Sequence, residues 1–176
     1  MEPGKYTGSQ RQDYEYRREG SANVVVMVEP LRGWRKVVVN QDRTGASLAR
    51  QLQQLVEEDY AEADKVVLVT DNLNIHGPWV LYEVFPPEVA QRIASRIEWH
   101  YTPEHGSWLN MAEIELSALE RQCLKRRFAG VEELQAETQA WVQQRNNAQV
   151  KIDWQFTAAD ARNRLRRLYP VIEDIT

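Results

Sequence analysis

The chain has 176 residues, of which 43% are hydrophobic and 27% charged, and it carries a formal net charge of −4. These values predict a single globular domain with a core of its own, and they disfavour tight DNA binding driven by overall charge alone. Its longest apolar runs, Val24 to Val28 and Val66 to Val69, are too short to span a bilayer, Met1 to Lys5 lacks a signal-peptide core, and a single cysteine, Cys123, excludes an internal disulfide, so a cytoplasmic setting is expected.

Residues 1–20 are polar, charged and glycine-containing, and read as a loose lead-in to a domain over 21–176. Ala22 to Glu29 and Trp34 to Val39 are strand-like runs joined by Pro30-Leu31-Arg32-Gly33, which predicts an antiparallel hairpin. Thr44 is placed to cap a helix whose Leu48, Leu52, Leu55 and Val56 share one face. Lys65 to Thr70 follows as a third strand, and its unbroken apolar run predicts burial on both faces. Pro86-Pro87 starts a helix through about Ser95, and Ile97 to Tyr101 is a fourth strand closed by Pro103.

Three helices complete the chain. The first runs from about Trp108 to Arg126 with a stripe of Leu109, Ala112, Leu116, Leu119 and Cys123. A second, Val131 to Asn146, opens with Glu132 and Glu133 near its positive end. The last begins near Thr157, with Asp160 completing a capping-box-like start, and Pro170 stops it. A hairpin followed by strand–helix–strand units is an α/β pattern: a mixed sheet flanked by helices, in the manner of a ribonuclease-H-like core that lacks its first strand.

Chemistry concentrates in two places. Asp71 leaves the carboxyl end of the third strand, where open α/β sheets place functional groups, although Asp-Asn at a strand end also serves as a simple turn. Glu113 and Glu115 lie in the first turns of a later helix, about 200° apart around its axis, and the sequence pattern alone leaves open which one faces the sheet. His76, His100 and His105 lack the His-x-x-x-His spacing of helical zinc sites, and neither a glycine-rich phosphate loop nor a Gly-x-Ser-x-Gly elbow is present. Arg121, Lys125, Arg126 and Arg127 form one basic cluster, and Arg162, Arg164, Arg166 and Arg167 a second; each reads as a solvated helix face or as a phosphate-facing patch.

The run Asp71-Asn72-Leu73-Asn74-Ile75-His76, followed by His100-Tyr101-Thr102-Pro103-Glu104-His105-Gly106-Ser107-Trp108-Leu109-Asn110-Met111-Ala112-Glu113, resembles the DDE transposases of bacterial insertion sequences, in the branch related to mariner-like elements. The similarity extends from Tyr14-Glu15-Tyr16-Arg17-Arg18 to Arg167-Leu168-Tyr169-Pro170. This resemblance implies a ribonuclease-H-like fold, DNA (element ends and target) as substrate, and Mg2+ or Mn2+ as cofactor, two ions roughly 4 Å apart. It assigns Asp71 as the second acid and metal ligand, and it prefers Glu113 over Glu115 as the third. The family's first aspartate would precede Tyr14, so the chain reads as a C-terminal portion of the catalytic domain, inactive alone. Its expected partners are a complementing upstream transposase segment or a second copy, and no membrane. Asp13, Glu29 and Asp42 are the nearest spare acids, with Glu29 the foremost because it ends a strand. The rival readings are an enzyme completed by another chain, a non-catalytic module that binds DNA or transposase, and an unrelated α/β hydrolase.

Overall fold

The computed structural model describes residues 20–103 and 109–165. Strand β1 (Asn23–Glu29) pairs antiparallel with β2 (Trp34–Asn40), with Asn23 opposite Asn40 and Glu29 opposite Trp34. Gly33 closes the hairpin turn at φ +71, where its N–H donates to the Glu29 carbonyl at 2.9 Å. A Cβ there would lie 2.6 Å from the Gln149 backbone, so only glycine fits both the dihedral and the space.

Helix α1 (Gly45–Gln54) is capped as expected, the Ser47 N–H donating to Thr44 Oγ1 at 3.2 Å. It widens into a π-type turn over Leu55–Asp59. Strand β3 (Val66–Thr70) then pairs in parallel with β4 (Ile97–Tyr101), Val66 opposite Ile97 and Thr70 opposite Tyr101. Between them lie α2 (Trp79–Val84), a short helix that the sequence reading missed, and α3 (Pro87–Ser95). The chain continues through α4 (Ala112–Leu119), a π-type turn over Glu120–Leu124, α5 (Val131–Asn147) and α6 (Ala158–Leu165). The capping box of α6 is formed reciprocally, Thr157 N–H to Asp160 Oδ2 at 2.9 Å and Asp160 N–H to Thr157 Oγ1 at 3.2 Å. The architecture is mixed α/β, two small sheets flanked by helices, compatible with a ribonuclease-H-like fold.

Two cores hold these elements. Leu52, Leu55 and Val56 of α1 meet Leu81 of α2, Ile93 of α3 and Ile97 of β4 in the first. Val37 of β2 meets Leu119 of α4 and Trp141 and Val142 of α5 in the second. Full burial of each aliphatic side chain contributes roughly 1.5–3 kcal/mol. The strand alternation divides the hairpin between them, with Met27 and Trp34 facing the first core and Val24, Val26 and Val37 the second. Strand β3 departs from the expectation of burial on both faces. Val66 and Leu68 pack into the first core, but Val67 and Val69 are 60% and 51% exposed. The α4–α5 layer covers the β1–β2 face and leaves that face of β3 bare among the described residues.

The second layer is pinned by a buried ionic network. Glu115 of α4 is fully buried, its Oε1 2.8 Å from Arg35 Nε of β2 and accepting from Arg145 Nε of α5 at 2.8 Å. The Arg35 contact is an ion pair without hydrogen-bond alignment, since Nε has no hydrogen-bond partner. Arg35 Nη1 donates to the Gly33 carbonyl, and Asn146 of α5 brackets the Arg35 backbone, accepting from its N–H at 2.9 Å and donating to its carbonyl at 2.8 Å. Burial lowers the Arg35 pKa and Glu115 opposes that shift. Removing one member of such a network strands a buried charge, at a cost of roughly 3–5 kcal/mol. Urea unfolding of Glu115→Ala is therefore expected to show a loss of about that size, whereas exposed Glu120→Ala stays within about 0.5 kcal/mol of the parent.

Candidate active site

The hydrogen-bond pattern fixes which ends of the strands lie together. Tyr60 Oη donates to Glu29 Oε2 at 2.6 Å, and Arg96 Nη2 donates to the carbonyls of Tyr60 and Ala61 at 2.8 and 2.9 Å. The Arg96 carbonyl in turn accepts from the Val66 N–H, the first residue of β3. Glu29, at the end of β1, is thus at the amino end of β3, and β1 runs opposite to β3. Asp71 follows the carboxyl end of β3, some 16 Å away for a five-residue strand. Glu29 is therefore corrected as the foremost spare acid: it occupies the wrong end of the sheet and is committed to Tyr60.

Asp71 stands at the mouth of a loop that its neighbours hold in place. Its Oδ1 lies 2.5 Å from His76 Nδ1, five residues on. Asn72 Nδ2 donates to the Thr102 carbonyl at 3.1 Å, and the Thr102 N–H donates to the Thr70 carbonyl at 2.8 Å, tying this loop to the exit of β4. The Trp79 indole N–H closes the far side by donating to the Asn74 carbonyl at 3.2 Å. The Asp71 side chain remains 44% exposed, open to a ligand from solvent.

Helix α4 supplies the second carboxylate. Asn110 opens it, its Oδ1 accepting from the Ala112 N–H at 3.0 Å and its carbonyl accepting from the Glu113 N–H at 3.0 Å. The side chains of Glu115, Ala118 and Leu119 are buried under the hairpin. The stripe read from the sequence is thereby rotated: Leu109, Ala112 and Leu116 line an open slot of about 620 Å³, and Glu113 lines it with them. Asp71 and His76 line that same slot. The structure thus brings Asp71 and Glu113 to one cavity, and it removes Glu115 to the interior. The sequence leaves this choice open because two glutamates two residues apart are equivalent until a packed partner, here Arg35, selects one.

The remaining candidates fall elsewhere. His100 of β4 pairs with Glu98 at 2.7 Å on an exposed edge, and His105 lies outside the described residues. Asp42 follows β2 at the Asp71 end of the sheet and lines the slot, but its carboxylate accepts from the hydroxyls of Ser47 and Thr44. Those bonds hold its pKa below the ordinary value. Among the described residues no cluster of three His, Cys, Asp or Glu side chains forms. Arg121, Lys125, Arg126 and Arg127 are all exposed at the end of α4, but Arg126 is already paired with Glu133 at 3.3 Å and Glu137 at 2.8 Å and lies over the Phe128 ring. Of the second basic cluster only Arg162 has a described, exposed side chain; Arg166 and Arg167 lie outside the described residues.

With this geometry in view, the sequence matches the profile of the DDE superfamily endonucleases over residues 3–135. The chain belongs to that family. Among the described elements the match spans β1 through the start of α5, and it includes Asp71 and Glu113. Comparison with curated proteins and with solved structures finds no significant match. No helix among the described residues is long and apolar enough to cross a membrane.

The Tyr60–Glu29 bond offers a check on the strand orientation used above. Burial first, and the Glu29 contact second, raise the Tyr60 pKa above its ordinary value of 10.0. A group whose pKa is raised on folding adds stability that is complete below its unfolded pKa and is lost as pH rises through and beyond it. The stability advantage of the parent over Tyr60→Phe is therefore expected to shrink from about pH 9 to about pH 11, read by urea unfolding at each pH.

Proposed function

We propose that this chain is the C-terminal part of a bacterial insertion-sequence transposase catalytic domain, of the mariner-like branch, in which Asp71 and Glu113 hold divalent metal for DNA cleavage and strand transfer. The single observation that carries the reading is that Asp71 and Glu113 line one slot while Glu115 is buried in an ionic network. Membership of the DDE superfamily endonucleases supports the same chemistry. Hard carboxylate oxygens suit Mg2+ or Mn2+, and Asp71 and Glu113 are the side chains that would hold them. When bound, such ions activate the attacking oxygen and stabilise the leaving one.

The chain's own contribution is positional. His76 fixes the rotamer of Asp71 through its 2.5 Å contact, as ring nitrogens behind metal-binding carboxylates do. Asn110 sets the start of α4, and with it the place of Glu113. Basic residues at the far end of α4, Arg121, Lys125 and Arg127, face solvent where they can meet DNA phosphates. Two acids leave the site one ligand short, so the third comes from outside the described residues, and residues 20–165 by themselves are inactive. A cytoplasmic location follows from DNA as substrate.

Titration calorimetry with Mn2+ on the 176-residue chain is expected to give millimolar or no binding, abolished in Asp71→Ala, and no metal-dependent nicking of element-end DNA. Micromolar binding, or cleavage lost in Asp71→Ala, would show that the third acid is already present, with Asp42 in the right place to supply it.

A second measurement addresses the basic face. Lys and Arg contacts to phosphate release counterions, so the slope of log affinity against log salt falls by roughly 0.9 for each contact removed. Replacing Arg121, Lys125 and Arg127 by Gln should flatten that slope by about 2 to 3 for duplex DNA. An unchanged slope returns these residues to the role of a solvated helix face.

A further inference from the structure

The loop that leaves β3 at Asp71 carries a second feature, outside the slot. Leu73 and Ile75 line the slot, whereas Asn72 and Asn74 alternate with them and are exposed. Trp79, at the start of α2, is 48% exposed, and Tyr82, its neighbour three residues on, is 52% exposed. Two large rings exposed on one short helix form an apolar patch, and the fold holds the first of them in place. The Trp79 indole N–H donates to the Asn74 carbonyl, so the one polar group of that side chain is already satisfied.

Gly77 seats the ring. A Cβ at position 77 would run into Cη2, Cζ3 and Cε3 of Trp79, and Gly77 is not among the glycines with positive φ, so glycine is needed there for space and not for backbone conformation. The backbone around it is tightly turned. The His76 N–H donates to the Leu73 carbonyl at 2.8 Å, the Gly77 N–H to that of Ile75 at 3.2 Å, and the Leu81 N–H to that of Pro78 at 3.1 Å. Pro78, with φ −65, fixes the step between the glycine and the ring. The indole thus packs against the Gly77 backbone with its N–H occupied, and what stays open to solvent is apolar ring surface.

We propose that Trp79 is a stacking platform for one unpaired base of the DNA strand held at Asp71. That the ligand is DNA rests on the proposed function; the platform is additional to it. Stacking needs ring surface and no polar group, and it tolerates any base, because every base has a π-face. The reach is suitable. Asn74, which holds the indole, is three residues from Asp71, at most about 11 Å of chain, or about three steps of a DNA strand at roughly 3.4 Å each. Asn74 also favours a base as the occupant. Its exposed side-chain amide makes no hydrogen bond among the described residues, and it carries both a donor and an acceptor, as a base edge does. The patch is too small for a protein partner. A stable interface buries roughly 800 Å² on each side, whereas the chain around these two rings is polar at its exposed positions Asn72, Asn74, Glu83 and Glu88.

The test reads binding, so it needs neither cleavage nor metal. The full chain is titrated at low salt with a blunt duplex and with the same duplex bearing a short 3′ overhang that contains 2-aminopurine, whose fluorescence falls when the base stacks on a ring. The parent is expected to bind the overhang probe more tightly and to quench it. Trp79→Ala should lose roughly tenfold in affinity for that probe, lose the quenching, and bind the blunt duplex as the parent does. Trp79→Phe should restore part of both. Gly77→Ala keeps the tryptophan but displaces its ring, and should behave as Trp79→Ala does, with urea unfolding checking that each variant is folded. Equal losses on both probes overturn the proposal and make Trp79 a cover for α2. No quenching by the parent, or no loss on the overhang probe, removes the platform while blunt-duplex binding leaves the proposed function standing. Binding of neither probe by the parent sinks both readings. A change confined to self-association, read by sedimentation, also overturns the proposal, because the patch would then be a contact with a second copy.

Discussion

The buried Glu115 carboxylate is the constraint on which the site depends. It joins three elements far apart in sequence, β2 through Arg35, α5 through Arg145 and its own helix α4. A buried ion pair is weak evidence for stability, because desolvating the charges offsets much of their attraction. Its effect here is directional. With Glu115 held inward, the helix period turns Glu113 about 160° away around the axis, to the slot that Asp71 also lines. An apolar residue at position 115 could bury as well without fixing the rotation of α4 so narrowly.

The same network explains why the second layer stops where it does. Arg35, Asn146 and Gln139 bind α5 to the outer edge of β2, and Leu119, Trp141 and Val142 cover one face of the hairpin. The β3–β4 pair is built on the first core instead, around α1, α2 and α3. The halves thus rest on separate cores, and among the described residues a slot opens between β1 and β3. Asp71, His76 and Glu113 all line the slot between them.

Much of the secondary structure was legible because it is set by local chemistry. The hairpin, the Thr44 cap, the Pro87 helix start, the Ile97–Tyr101 strand and the Thr157–Asp160 capping box each depend on residues within a few positions of one another. Helix α2 was missed because its six residues are too few to establish a period and its aromatic residues Trp79 and Tyr82 are exposed. The burial of β3 was over-read because a run of valines carries no signal of which face a second layer will cover.

The site divides along the same line. The sequence by itself determined that Asp71 leaves a strand end, that an acid follows in the first turns of a later helix, and that the chain belongs with the DDE endonucleases, because motif residues and their order are one-dimensional facts. Only the tertiary structure buried Glu115 against Arg35 and Arg145 while leaving Glu113 on the slot, moved Glu29 to the far end of the sheet, drew Arg126 into pairs with Glu133 and Glu137, and opened a slot between β1 and β3. Each of those outcomes turns on a partner dozens of residues away or on the adjoining helix, and which charge meets which is fixed only when packing brings the elements together.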